Sequence, residues 1–238
     1  MSLSSSPLGP NLWIGENVRI GEGVSIGANV VLHDDVVLED GAVVEHGAVI
    51  GKPPRLGVHS RAEIATEPAA TVVGPGAAVS CGAVVCVGAI LAERAVVGDH
   101  SLVREGARLG PESVLGQGGA LGRAVQVGAR VRIQNAAVIA PGSCIEDDVF
   151  VGPSLVALND LTAGRREDLS TPLAGVVLRR RCRIGGAVLL MPGVEVGEDA
   201  FVAAGSLVTR DVPAGQLVVG SPARVRGPAP ATTEHRSG

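Results

Sequence analysis

Residues 73–156 read VGPGAA-VSCGAV-VCVGAI-LAERAV-VGDHSL-VREGAR-LGPESV-LGQGGA-LGRAVQ-VGARVR-IQNAAV-IAPGSC-IEDDVF-VGPSLV when cut every six residues. Each hexad opens on Val, Leu or Ile, from Val73, Val79 and Val85 to Ile139, Ile145 and Val151, fourteen times in succession. The second residue is often glycine (Gly74, Gly98, Gly110, Gly116, Gly122, Gly128, Gly152), and the fifth is usually small or Val, as at Ala77, Ala83, Ala107 and Val125. A period of six fits neither a helix nor a simple two-faced strand. It fits a solenoid in which each hexad makes one short strand and one corner. The large apolar side chain then points into a narrow prism, and the small residue fills the space beside it. Three hexads close one triangular coil, and coils stack at the ~4.8 Å spacing of neighbouring strands. A lone coil cannot bury its own core, so stacking is what makes the fold stable.

Seven earlier hexads open on Ile14, Ile20, Ile26, Leu32, Leu38, Val44 and Ile50, and six later ones on Leu178, Ile184, Leu190, Val196, Val202 and Val208. The sum 7 + 14 + 6 = 27 predicts nine coils. Two breaks interrupt them. The first begins at Lys52-Pro53-Pro54-Arg55, where two prolines cannot serve an interior ladder, and it predicts a loop over 52–71. The second, 157–177, is polar and without period, and a loop of that length inside a compact domain is usually functional. The expected organisation is a loose Ser- and Pro-rich arm over 1–11, one all-β domain over 12–224, and a disordered Pro- and Thr-rich tail over 225–238.

Composition agrees with a thin prism. Only Trp13, Phe150 and Phe201 are aromatic, there is no Tyr, and glycine numbers 34. A net charge of −4 argues against a basic nucleic-acid surface. No stretch is long and apolar enough to span a bilayer, and Met1 to Pro10 lacks the pattern of a signal peptide. Cys81, Cys86, Cys144 and Cys182 have neither metal-ligand nor redox spacing. A cytoplasmic protein, with no membrane or nucleic-acid partner, is the resulting expectation.

The [LIV]-G-x-x-[small]-x pattern resembles the hexapeptide repeat of left-handed parallel β-helix acyltransferases, and the left-handed turn is what that resemblance implies. Ile184-Gly185-Gly186-Ala187, Gly193 to Gly197, Val202 to Pro213 and Val219-Gly220-Ser221-Pro222-Ala223-Arg224 resemble the terminal coils of coenzyme A-dependent members. The resemblance implies acetyl-CoA or another acyl-CoA as co-substrate, with Gly186, Ala187, Ala204 and Ser206 along the pantetheine arm and Arg210 and Arg224 toward the phosphates. Small residues suit a narrow arm lying against backbone, and the planar guanidinium suits phosphate. It also implies a homotrimer with active sites between subunits.

Residues eighteen apart stack on one face. Asp99, Gln117 and Asn135 therefore form one column, with His100 beside it; Glu105, Arg123, Pro141 and Asn159 form another, leading into the second break. His100 and Glu105 fall on adjacent hexads near a corner and are the candidate catalytic groups, able to take a proton from an attacking amine. Asp99, Gln117, Asn135, Asn159 and Asp160 are the candidate acceptor-binding residues. Each has a plainer alternative: His100 solvated at its corner, Glu105 paired with Arg104 or Arg123, the small residues merely satisfying the repeat. His33, His46 and His59 lie in or before the first break with less polar company.

Gly51 to Gly57, Gly98 to Glu105, and Glu146 to Pro153 followed by Asn159-Asp160 bring the likeness nearest to the nucleotide-sugar N-acyltransferases, over residues 14 to 224. Those enzymes acylate the amine of a dTDP- or UDP-linked amino sugar and need no metal. This chain departs at Leu158, where Thr is usual, and at Ala187, where Asn is frequent. O-acylation or amino-acid N-acylation on the same scaffold, a zinc-dependent carbonic anhydrase-like protein, and a non-catalytic scaffold are the other readings.

Overall fold

The computed structural model describes residues 4–6, 10–55, 57, 70–163, 165 and 173–231. All its regular elements are short strands, most of two residues, arranged in three parallel sheets. We name the three faces in the order the chain visits them. In the first coil face A holds Leu12–Ile14, face B Arg19–Ile20 and face C Ser25–Ile26. Face A of the second coil, Val31–Leu32, then pairs in parallel with the first, Trp13 with Val31 and Ile14 with Leu32. This is a parallel β-helix.

Faces A and C each contain eleven strands, one of which in each is antiparallel, leaving ten coils (11 − 1 = 10) where the hexad count gave nine. The additional coil comes from Ala157, Val212 and Val218, buried at 2%, 4% and 4% exposure in the positions that open hexads elsewhere. Ala157 lies outside a Val/Leu/Ile rule, and Val212 follows Val208 by four residues rather than six. The apolar hexad openers and the small fifth residues are both buried in one continuous core, as at Val73, Ala77, Val79 and Ala83. Each Leu or Ile so buried contributes roughly 2 kcal/mol.

The corner chemistry explains two classes of glycine. The fourth residue of the hexad has positive φ at corner after corner, whether glycine (Gly76, Gly82, Gly106) or not (Arg94, His100, Ala136, Ala187). Where glycine stands second, the next coil lies directly over it and leaves no room for a side chain. A Cβ on Gly110 would sit 2.1 Å from the Gly128 carbonyl oxygen, and one on Gly116 2.6 Å from Asn135 Oδ1.

Both long breaks leave the prism at the same corner, between faces A and B: the first after Val49–Lys52, the second after Val156–Ala157. Most of 56–69 and of 164–172 lies outside the described residues, His59 included. Two boundaries differ from expectation. Within the expected N-terminal arm, Ser4–Ser6 pairs antiparallel with Leu12–Ile14 and closes the face A edge. At the other end, Arg224–Pro228 folds back antiparallel on Gln216–Val219 and closes face C, so ordered structure continues past residue 224 into the expected tail. No helix among the described residues is long and apolar enough to cross a membrane.

Candidate functional site

The three corners share one turn but not one chemistry. At the B–C corner, from Glu93 onward, the charged side chains are paired with one another. Arg130 bonds Asp148 at 2.7 and 2.9 Å, Arg179 bridges Glu146 and Glu195, and Arg181 bonds both Glu198 and Asp199. Arg130 holds the Asp148 carboxyl below its usual range, and Arg181 does the same for Asp199. Arg179 likewise lowers Glu146 and Glu195. These groups are consumed by one another.

The C–A corner is different. Parallel register places Val97 beside Leu115, then Ile133, Val151, Ile184 and Val202. Two residues further on, Asp99, Gln117, Asn135, Pro153, Gly186 and Ala204 therefore stack in one line, flanked by His100, Gly118, Ala136, Ser154, Ala187 and Gly205. A ladder ties the line together: His100 N–H donates to the Cys81 carbonyl, Gly118 to Asp99, Ala136 to Gln117, Ser154 to Asn135, Ala187 to Pro153 and Gly205 to Gly186. Sequence arithmetic had given only the first three members, because the second break makes the step from Val151 to Ile184 thirty-three residues rather than eighteen. Seven of the sequence-chosen residues, four acceptor-side and three donor-side, thus share one corner.

His100 is exposed, and its φ of 55° is the corner's left-handed position, which histidine tolerates better than most residues. Its ring lies over Gly82, where a Cβ would stand 2.5 Å from Nδ1. From His100 to Ala187 is four coil steps, about 19 Å at the strand spacing. Asp99 turns back one coil, its Oδ1 accepting the Cys81 N–H at 3.1 Å; that same N–H reaches Glu45 Oε2 at 3.1 Å. No described side chain accepts the N–H groups of Gln117, Asn135, Gly186 or Ala204, so this line offers backbone donors to a ligand. Ser206 does not join it. Its side chain is buried inside the prism, where Oγ accepts the Gly220 N–H at 3.2 Å, so it fills the small fifth position instead of meeting a ligand.

Glu105, Asn159 and Asp160 sit elsewhere. They belong to the A–B corner, where Glu105, Arg123, Pro141 and Asn159 stack as expected. His100 and Glu105 thus stand on either side of one face A strand, Leu102–Val103, at most about 16 Å apart along the chain, and do not share a corner. The Glu105 side chain is 14% exposed and both its oxygens accept Arg104 Nε, at 2.9 and 3.0 Å. It also lies beside Cys86, whose thiol is pushed up to about 11, chiefly by burial. Asn159 Nδ2 donates to the Pro141 carbonyl at 3.4 Å, and Asp160 Oδ1 accepts the Thr162 N–H and hydroxyl at 2.8 and 2.6 Å. Arg210 is exposed on this corner, whereas Arg224 is on the strand that closes face C. His33 is also at the A–B corner, its pKa lowered by burial and its Nδ1 buried without a partner; His46 Nδ1 accepts the Ala28 N–H.

Between the two candidate corners lies face A. Its outward residues, from Trp13 and Val31 through Val84, Leu102 and Val138 to Leu207, are all apolar. Trp13 and Val138 are 46% and 44% exposed. The sequence did not single out this face, yet it is readable as the residue before each third hexad opener.

Comparison with known proteins agrees with the repeat. Residues 17–52 match the bacterial transferase hexapeptide model of six repeats, and 180–210 match the hexapeptide repeat of succinyl-transferase. A Saccharomyces cerevisiae protein bearing an acetyltransferase name is 34% identical over 87 residues, covering 34% of this chain and 43% of that protein. The Staphylococcus aureus 2,3,4,5-tetrahydropyridine-2,6-dicarboxylate N-acetyltransferase is 48% identical over 50 residues, 21% of each chain. The chain spans less than half the length of these curated relatives. Among solved structures, the Arabidopsis UDP-N-acetylglucosamine acyltransferase aligns over 94% of this chain and 74% of its own at 20% identity, with a TM-score of 0.44.

Proposed function

We propose that this hexapeptide-repeat protein is an acyl-CoA-dependent N-acyltransferase whose acceptor is the amine of a nucleotide-linked amino sugar. The observation that carries the reading is the line of the C–A corner, free of charged side chains beyond Asp99, which joins His100 to Gly186, Ala187 and Ala204. A thin acyl-pantetheine arm can lie along small side chains and accept hydrogen bonds from the free backbone N–H groups, with its thioester toward His100. The amine attacks the thioester carbonyl, the carbon–sulfur bond breaks, and His100 takes the proton that the amine must lose. A corner N–H such as that of Gln117 is suited to the developing oxyanion. Positioning alone supplies part of the rate, since an amine is already reactive toward a thioester. No step calls for a metal.

The apolar face A supports a homotrimer. Packing copies through it would set the C–A corner of one beside the A–B corner of the next, with His100 level with Glu105 across the cleft and Asn159 three coil steps, about 14 Å, further along it. Light scattering on the purified protein checks this: a mass of three chains is expected, and a monomer would leave those residues apart.

A second reading has its own support. The Staphylococcus aureus relative is named for a tetrahydropyridine dicarboxylate acceptor rather than a sugar, and Leu158 and Ala187 depart from the sugar-nucleotide pattern. The experiment that tests both is acyl transfer from acetyl-CoA to a panel of dTDP- and UDP-amino sugars and to amino acids, with His100→Asn as the variant. Asparagine accepts the left-handed backbone, so the fold is kept while the base is lost. Activity is expected to fall about 10²- to 10⁴-fold. Unchanged turnover would remove His100 from the reaction, and failure of every acceptor with no acyl-CoA binding would leave a non-catalytic scaffold.

A further inference from the structure

Two of the three aromatic residues of the chain are stacked in register on the outside of face C, and they alternate with arginines. Parallel pairing sets Arg132 beside Phe150, Phe150 beside Arg183, and Arg183 beside Phe201. The Arg132 guanidinium carbon stands 5.9 Å from the Phe150 ring centroid, over its face. The ladder covers three coil steps, about 14 Å.

These arginines differ from those of the neighbouring B–C corner. Among the described residues neither Arg132 nor Arg183 forms an ion pair, whereas Arg130, Arg179 and Arg181 each hold at least one carboxylate. Arg183 donates to the Asp148 backbone carbonyl at 2.5 Å, and Asp199, which feels its charge, is already bonded twice by Arg181. Guanidinium groups not held by a carboxylate, beside half-buried rings on the outer face, are complementary to a flat base carrying phosphates. The strand that closes this face adds Arg224 and Arg226, both exposed. Phe201 also stands only three residues before Ala204, so the ladder borders the donor end of the small-residue line.

We propose that the Arg132–Phe150–Arg183–Phe201 ladder binds a nucleobase and its diphosphate, with the base against the Phe201 ring and the phosphates at Arg183. It rests on the transferase reading and deepens it. Two sources carry this chemistry, the nucleotide end of the acyl donor and that of a nucleotide-sugar acceptor. Contiguity with Ala204 favours the donor.

The test compares the full-length protein with the double variant Arg183→Gln, Phe201→Ala. Both side chains are half-buried on the outer face, outside the core. Calorimetric titration is run with acetyl-CoA, with acetyl-pantetheine, which lacks the nucleotide, and with UDP- and dTDP-amino sugars, alongside a thermal melt. Loss of on the order of tenfold in acetyl-CoA affinity, with acetyl-pantetheine and the melting temperature unmoved, is the expected result. A similar loss confined to the sugar nucleotides would keep the base-and-diphosphate site and assign it to the acceptor. Equal affinities for all ligands in the two proteins would overturn the inference while leaving the transferase reading intact. If the unaltered protein bound neither acetyl-CoA nor acetyl-pantetheine nor any sugar nucleotide, both would fall.

Discussion

The B–C and C–A corners are built on the same hexad, the same left-handed turn and the same buried openers, and they carry opposite surfaces. Every ion pair described on the prism except Arg104–Glu105 lies at the B–C corner or on its flanking strand, and none lies at the C–A corner. The repeat therefore fixes the backbone and leaves the second to fourth hexad positions free to differ. Where they are charged, the charges neutralise each other across coils. Where they are glycine, alanine, asparagine and glutamine, the backbone itself faces outward, and a narrow ligand can use it.

The largest effect expected on that shared backbone comes from Gly110→Ala. Its Cβ would meet the Gly128 carbonyl oxygen at 2.1 Å, a contact only a backbone shift can relieve, at about 3 kcal/mol. Gly106→Ala is the contrasting case: nothing lies within 4 Å of its Cβ, and only its positive φ of +65° is strained, at roughly 1–2 kcal/mol. Urea unfolding of the two variants measures the difference. Equal midpoints would mean that coil-to-coil contact is not what selects glycine at the second position.

Between the corners themselves, Gly186→Trp against Ala129→Trp is the sharper contrast. Gly186 has ordinary φ and its nearest neighbour would be Pro153 at 3.4 Å, so a side chain can be carried outward over the small-residue line. Acetyl-CoA affinity is expected to fall by at least about tenfold. Ala129 is the corresponding position on the B–C corner, and its variant should bind acetyl-CoA as the unaltered protein does. Equal losses would show that the two corners do not differ in function.

The smallest effect concerns the charged corner and appears only in acid. Arg179 lowers the pKa of Glu146 and Glu195, so the stability they confer is present above the unfolded carboxylate value and is lost as pH falls through the lowered folded value. Thermal midpoints of the unaltered protein should therefore drop below about pH 4.5. Arg179→Gln should begin lower at neutral pH and lose less on acidification, so that the two curves converge. Parallel curves would mean that these exposed pairs carry no linkage, as solvent screening makes common.

How much of this was legible depended on how far the period ran unbroken. Within 73–156 the eighteen-residue step brought Asp99, Gln117 and Asn135 together correctly, and Glu105 with Asn159. Across the breaks it failed: Val44 meets Val79 after thirty-five residues, and Val151 meets Ile184 after thirty-three. The insertions hid the fact that the donor and acceptor residues share a corner. Linear proximity misled in the other direction for His100 and Glu105, which a strand holds at different corners. Ser206 resembles a ligand contact in sequence because small residues look alike there, whether they line a surface or fill a core.

By itself the sequence determined the solenoid, its core and its corners, because a fourteen-fold period of six leaves the backbone one way to bury its apolar residues. The tertiary structure decided which residues meet. Pairing between coils ignores the length of chain between them, so an excursion of any size returns to the same register, and only the closed prism says which corner is spent on ion pairs and which is left open to a ligand.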